Sequence, residues 1–312
     1  MALTKPTPKT TSNRSKGSRP ALTALAALVI LFLLVLVAKW LRDLPGVQSF
    51  VAEFPGHSEL PGAAPVGLPG WLQWQHFLNG LFIVLIIRSG WQVRTTARPN
   101  TYWTRNNKGL LRTKNAPAKI SLELWLHLSL DALWLLNGVV FLVLLFASGQ
   151  WMRIVPTSWE VFPNALSAAI QYASTDWPVE DGWVNYNSLQ LLAYFVTVFV
   201  AAPLALATGL RMSSLWPKQA TRLSRLYPIE VARAVHLPVM LYFVGFVTVH
   251  VTLVLATGAL RNLNHMYGAG DDGSWVGFWI FAASLVLMIA AWFLARPLFL
   301  RPIASLSGSV TR

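Results

Sequence analysis

Four histidines, His76, His127, His236 and His250, lie inside strongly apolar stretches of the sequence. Ionisable residues at that depth are costly and usually functional. His236 and His250 bracket the segment HLPVMLYFVGFVTVH. On a helix, fourteen residues bring the second side chain within about 40° of the first and about 21 Å along the axis. The two share a face, yet no single metal ion can be bound by both. His76 opens one apolar stretch and His127 opens the next, which runs the opposite way. His76 therefore falls level with His250, and His127 level with His236. Each level holds two imidazoles from different helices, which is what a flat ring with a central iron needs: one axial ligand on each face. Two b-type haems are the expected cofactors. Zinc or copper would want three or four ligands close together, and nothing supplies the third. At any single position the alternative is a neutral histidine bonded to a backbone carbonyl or a neighbouring helix.

The elements that must carry these residues are apolar helices. The chain has 312 residues, 54% of them hydrophobic and only 12% charged, too apolar for an ordinary soluble domain. Apolar runs near 21–38, 71–88, 120–148, 188–210, 234–260 and 275–295 are long enough to cross a hydrocarbon core of about 30 Å. The expected fold is an all-α polytopic membrane protein with about six transmembrane helices, four or five of them forming the haem-binding bundle. Residues 1–20 read as a disordered basic tail, 21–42 as an extra N-terminal anchor, 71–295 as the cytochrome-type bundle and 296–312 as a second tail. The first run lacks an A-x-A pattern at its end and reads as an uncleaved anchor. There are no cysteines, which excludes disulfides, iron–sulfur clusters, thiolate zinc sites and thioether-attached haem.

Charge sets the orientation. Of 25 Lys and Arg, 21 fall in the two tails and in the loops near 88–119 and 211–233; Lys39, Arg42, Arg153 and Arg261 fall on the other side. That asymmetry predicts a multi-pass protein of the cytoplasmic membrane with both termini in the cytoplasm. It also accounts for the net charge of +13 without nucleic acid as a partner. Trp71, Trp74, Trp151, Trp177, Trp183 and Trp275 cluster near the outer span ends, as an interfacial belt would.

Other polar residues are secondary candidates. Glu123, His127 and Asp131 recur every four residues on one face; Asp131 either orients an axial imidazole, serves a proton path to a quinone, or pairs with another helix. Arg153 and Arg261 break the charge rule on the outer side and are candidates for haem propionates, or for Asp271 and Asp272. Arg88, Arg94, Arg211 and Arg233 sit near inner span ends, where they either signal topology or reach inner propionates. Gln73, Gln75 and Asn79 are expected around His76. Gly80, Gly138 and Gly245 either admit a flat ring or serve plain helix packing. His57 and His265 read as solvated loop residues.

The motifs WQHF at His76, LWLHLSLD at His127 and VARAVHLPVMLYFVGFVTVHV at His236 and His250 resemble the bacterial cytochrome b561 and nickel-hydrogenase b-type cytochrome group, which includes the gamma subunits of membrane formate dehydrogenases. The similarity covers roughly residues 71–260. It implies a non-catalytic electron-transfer subunit that passes electrons between a partner redox subunit, of molybdenum or nickel–iron type, and the membrane quinone pool. By the resemblance His76 and His250 hold one haem, and His127 and His236 the other. Two features depart from the group: the extra N-terminal span, which inverts the core, and the long 149–187 loop with its amphipathic SWEVFPNALSAAIQYA. The competing reading is a proton- or ion-coupled transporter using the buried His and Asp; broken helices and inverted repeats would favour it.

Overall fold

A computed structural model describes residues 18–108, 112, 116–177, 181–217 and 219–312, with side chains described from residue 21. Helix α1 (Ser18–Arg42) is followed by the short α2 (Pro45–Glu53) and then α3 (Gly70–Thr95). Strands β1 (Tyr102–Arg105) and β2 (Lys119–Ser121) lead into α4 (Leu122–Ala147), and α5 (Val161–Ala173) follows within the long loop. Helices α6 (Ser188–Val196) and α7 (Ala202–Met212) are one rod joined by a π turn at Thr197–Ala201. Then come α8 (Thr221–Leu226), α9 (Ile229–Ala256), α10 (Ala259–Leu263), α11 (Val276–Leu294), α12 (Pro297–Ser305) and β3 (Gly308–Thr311).

Among the described residues, six helices are long and apolar enough to cross a membrane: Ala21–Arg42, α3, α4, the α6–α7 rod, α9 and α11. The chain is an all-α polytopic membrane protein. Its surface agrees: Leu133, Leu136, Val139 and Val143 on α4, and Leu28, Phe32 and Leu34 on α1, are exposed. Contiguous apolar surface on that scale suits acyl chains rather than water. Of the expected tail at 1–20, residues 1–17 lie outside the described residues, and α1 already begins at Ser18.

Local sequence explains the element ends. The Ser121 hydroxyl accepts from Leu124 N–H and caps α4, and the Asn187 side chain accepts from Gln190 N–H and caps α6. The π turn has a cause in Pro203, which cannot donate a backbone hydrogen bond one turn later. The rod stays continuous there, tied to α9 by Thr197 Oγ1 and the Tyr242 hydroxyl at 2.8 Å.

The core sits where the spans meet. Leu85, Leu126, Leu130 and Ala295 pack α3 against α4 and the end of α11. Ala201, Val239 and Phe243 join the rod to α9, with Ile83 and Ile87 of α3 against them. At one end of the bundle β1 pairs antiparallel with β2 and with β3. The segment 296–312 is therefore not a loose tail: Trp103 Nε1 donates to the Ala304 carbonyl, and Arg301 donates to Thr101 at 2.7 Å. This end is termed the sheet side. The opposite, loop side carries α2, α5 and the segment 257–275 between α9 and α11. There Arg153 donates to the carbonyls of Gly67 and Gly182, while Arg42 pairs with Asp176 and ties α1 to the loop after α5. Gly67 has a φ of +85°, and a Cβ there would stand 2.8 Å from the Trp183 ring, so this crossing requires glycine.

Candidate functional site

The four span histidines meet in two pairs, one above the other along α9. On the loop side the rings of His76 and His250 stand 6.1 Å apart, inclined by 55°. On the sheet side His127 and His236 stand 6.4 Å apart at 83°. A direct imidazole–imidazole hydrogen bond of about 2.9 Å would hold the ring centres near 5 Å. Two imidazoles on opposite sides of one metal ion, each bond about 2.0 Å and each centre about 1.1 Å behind its nitrogen, stand about 6.2 Å apart. Both pairs have the second spacing. The donor set also suits haem iron, which takes two axial nitrogens, and among the described residues there is no cluster of three His, Asp or Glu for another metal.

The surroundings of the rings differ between levels. His127 Nδ1 lies 3.0 Å from Ser89 Oγ, and His236 Nδ1 lies 2.8 Å from Thr208 Oγ1. On the loop side His76 Nδ1 lies 3.2 Å from the Tyr267 hydroxyl, while His250 stacks on Phe246 and meets Tyr194 edge-on. Tyr267 comes from the π turn Asn264–Gly268, and burial pushes its hydroxyl up to about 12, so it remains a neutral phenol. Between the levels, Phe243 of α9 and Trp134 of α4 meet at 6.4 Å, and the Trp134 indole donates to Asn79.

The secondary candidates separate. Asp131 Oδ2 stands 3.7 Å from His127 Nε2, the nitrogen opposite Ser89. It faces the ring nitrogen away from the Ser89 contact and does not orient the ring through Nδ1. Arg153 is buried, its guanidinium over the Tyr186 ring at 4.7 Å and its Nε without a hydrogen-bond partner among the described residues. Arg261 is half exposed and bridges Asp271 and Asp181. Arg88 bonds Gln92 and lies over Trp292, and Arg211 donates to the Tyr227 carbonyl. Gln75 is buried, and Asn79 holds Trp134. Gly138 and Gly245 face open space, and Gly80 meets only Met288 at 3.9 Å. The glycines beside the span imidazoles are Gly90, whose Cβ would crowd His127 at 3.1 Å, and Gly209, whose Cβ would meet His236 at an ordinary 3.8 Å.

His265 corrects the sequence reading. It is buried at 5% exposure, packs on Trp183 and meets Asp271 at 2.6 Å. The loop holding it folds under the segment before α6, so a polar loop position became an internal one. Hydrogen bonds from Arg261 and then His265 hold the Asp271 carboxyl below the usual carboxylate range. A depressed carboxylate contributes stability that is complete above its ordinary range and is lost as pH falls through its folded value. Acidification below that range should therefore loosen residues 259–274 before the spans. Hydrogen exchange across a pH series would show protection falling there first; an unchanged profile at acid pH would contradict this role for Asp271.

One curated protein is similar in sequence. It is described as "Putative protein-methionine-sulfoxide reductase subunit YedZ1" from Azospira oryzae, and is 28% identical over 199 residues, covering 60% of this chain and 88% of that protein. No protein-family model and no solved structure matches the chain.

Proposed function

We propose that this chain is a membrane dihaem b-type cytochrome, the electron-transfer subunit of a redox complex. The observation that carries the reading is the pair of stacked histidine couples, each at the spacing of two axial ligands and each drawn from two helices. His76 with His250 would hold the loop-side haem, and His127 with His236 the sheet-side haem. Haem iron with two axial imidazoles carries one electron at a time and has no open position for a substrate. Chemistry on a substrate then belongs to a partner. The similar protein's description as a reductase subunit supports a catalytic redox subunit in that place.

The chain's own residues supply the rest. Arg153 offers a buried cation for a loop-side haem carboxylate, because its Nε has no partner among the described residues and Tyr186 and Tyr194 link its position to His250. Arg261 is already occupied by two carboxylates. The charge asymmetry supports a cytoplasmic sheet side with both termini there. The quinone pool is the membrane-side electron partner, and Asp131 beside the sheet-side pair is the candidate proton carrier for it.

The test is reduction by a quinol analogue of haem-replete chain in nanodiscs, followed through the haem absorption bands. Reduction of bound haem within the mixing time is expected. Haem that dithionite reduces and quinols leave oxidised would overturn the quinone assignment. Asp131→Asn should slow quinol reduction by about tenfold while both haems remain.

A further inference from the structure

Each sheet-side histidine rests on a hydroxyl residue followed by glycine, Ser89-Gly90 on α3 and Thr208-Gly209 on α7. Both hydroxyls are fully buried, at 0% and 1% exposure. A hydroxyl has one proton to give. Ser89 Oγ donates to the Ile86 carbonyl at 3.1 Å, and Thr208 Oγ1 donates to the Leu204 carbonyl at 2.7 Å. Neither proton is then available to an imidazole. The contact with each ring is made the other way: Nδ1–H donates and the hydroxyl oxygen accepts. In a neutral imidazole a protonated Nδ1 leaves the lone pair on Nε2. A hydroxyl already donating to a carbonyl is also a better acceptor, because linked hydrogen bonds polarise one another. The loop-side pair is built differently, with a phenol on His76 and rings around His250.

We propose that Ser89 and Thr208 are positioning residues that fix the tautomer of His127 and His236 and lower the reduction potential of the sheet-side haem. The proposal rests on the dihaem reading above. A stronger acceptor on Nδ1–H makes the imidazole a more electron-rich ligand, which favours ferric over ferrous iron in the one-electron couple. Gly90 lets His127 close on its acceptor, since a Cβ there would stand 3.1 Å from the ring; a Cβ at Gly209 would make only an ordinary contact with His236 at 3.8 Å.

Potentiometric titration of the full-length, haem-replete chain tests this, comparing wild type with Ser89→Ala, Thr208→Val, Ser89→Thr and Thr208→Ser. Each apolar variant should shift one of the two one-electron waves toward the ferrous form by about tenfold, which is about 59 mV upward. The other wave should stay, and the hydroxyl-for-hydroxyl variants should titrate as wild type. Unchanged waves in apolar variants that keep both haems would overturn the assignment. If an apolar variant loses the sheet-side haem, the conservative one decides: Thr208→Ser or Ser89→Thr keeping haem and potential supports the role, and losing them too overturns it. A wild-type chain that binds no haem would sink the dihaem reading instead, and this proposal with it.

Discussion

His250→Ala should take the purified chain from two haems to about one. His250 is the loop-side partner of His76 at 6.1 Å, and no other described imidazole is paired with His76. Removing one of two axial ligands costs the iron half its protein bonds, and even partners one step removed change metal affinity by about 10- to 100-fold. The remaining haem should keep its sheet-side spectrum, because His127 and His236 meet on the other side of Trp134 and Phe243. His236→Ala should give the reverse, leaving the loop-side haem. Haem quantified per chain, with circular dichroism to verify helix content, checks both. Loss of both haems from a variant that keeps its helices would contradict independent sites.

The second large effect is on folding. Gly277→Ala should lower the melting temperature of the chain in detergent by many degrees and weaken the loop-side haem before the other. A Cβ at Gly277 would stand 2.4 Å from Asn264 Cα and from the Leu263 carbonyl oxygen. Both are backbone, so no side chain can swing away. Overpacking in a tight core costs about 1–3 kcal/mol, and a backbone obstacle belongs at the upper end. Each 1 kcal/mol is about 2–4 °C in a domain of about 150–250 residues and somewhat less in a longer chain. The displaced segment is the π turn that presents Tyr267 to His76, which is why the loop-side pair should feel the change first. Gly273→Ala is the control, since nothing lies within 4 Å of a Cβ there. Equal melting of the two variants would contradict the packing argument.

The spans and the four ligand candidates were legible in the sequence because apolar run length and helical spacing are local quantities. His236 and His250 share a face by arithmetic alone, and the levels of His76 and His127 follow from the direction of their spans. What escaped depends on contacts between elements distant in sequence. Ser89 and Thr208 look like ordinary small residues of a membrane helix until α4 and α9 bring an imidazole to each. The repeated hydroxyl–glycine dipeptide was a signal, but half of its meaning is the direction it faces. Gly80, Gly138 and Gly245 stand out by position, whereas Gly90 and Gly209 are the ones beside the span histidines. His265 was misjudged because burial of a loop residue depends on another loop, here the segment carrying Trp183. The last residues carried too little hydrophobic pattern to announce a strand, and β3 forms because β1 offers it an open edge.

We propose that the four span histidines hold two haems. A pyridine haemochrome assay on the purified, haem-replete chain, with haem counted against protein, tests it most directly. Two b-type haems per chain are predicted; a folded chain that takes up none would contradict the account and return the intramembrane histidines and Asp131 to a transport role.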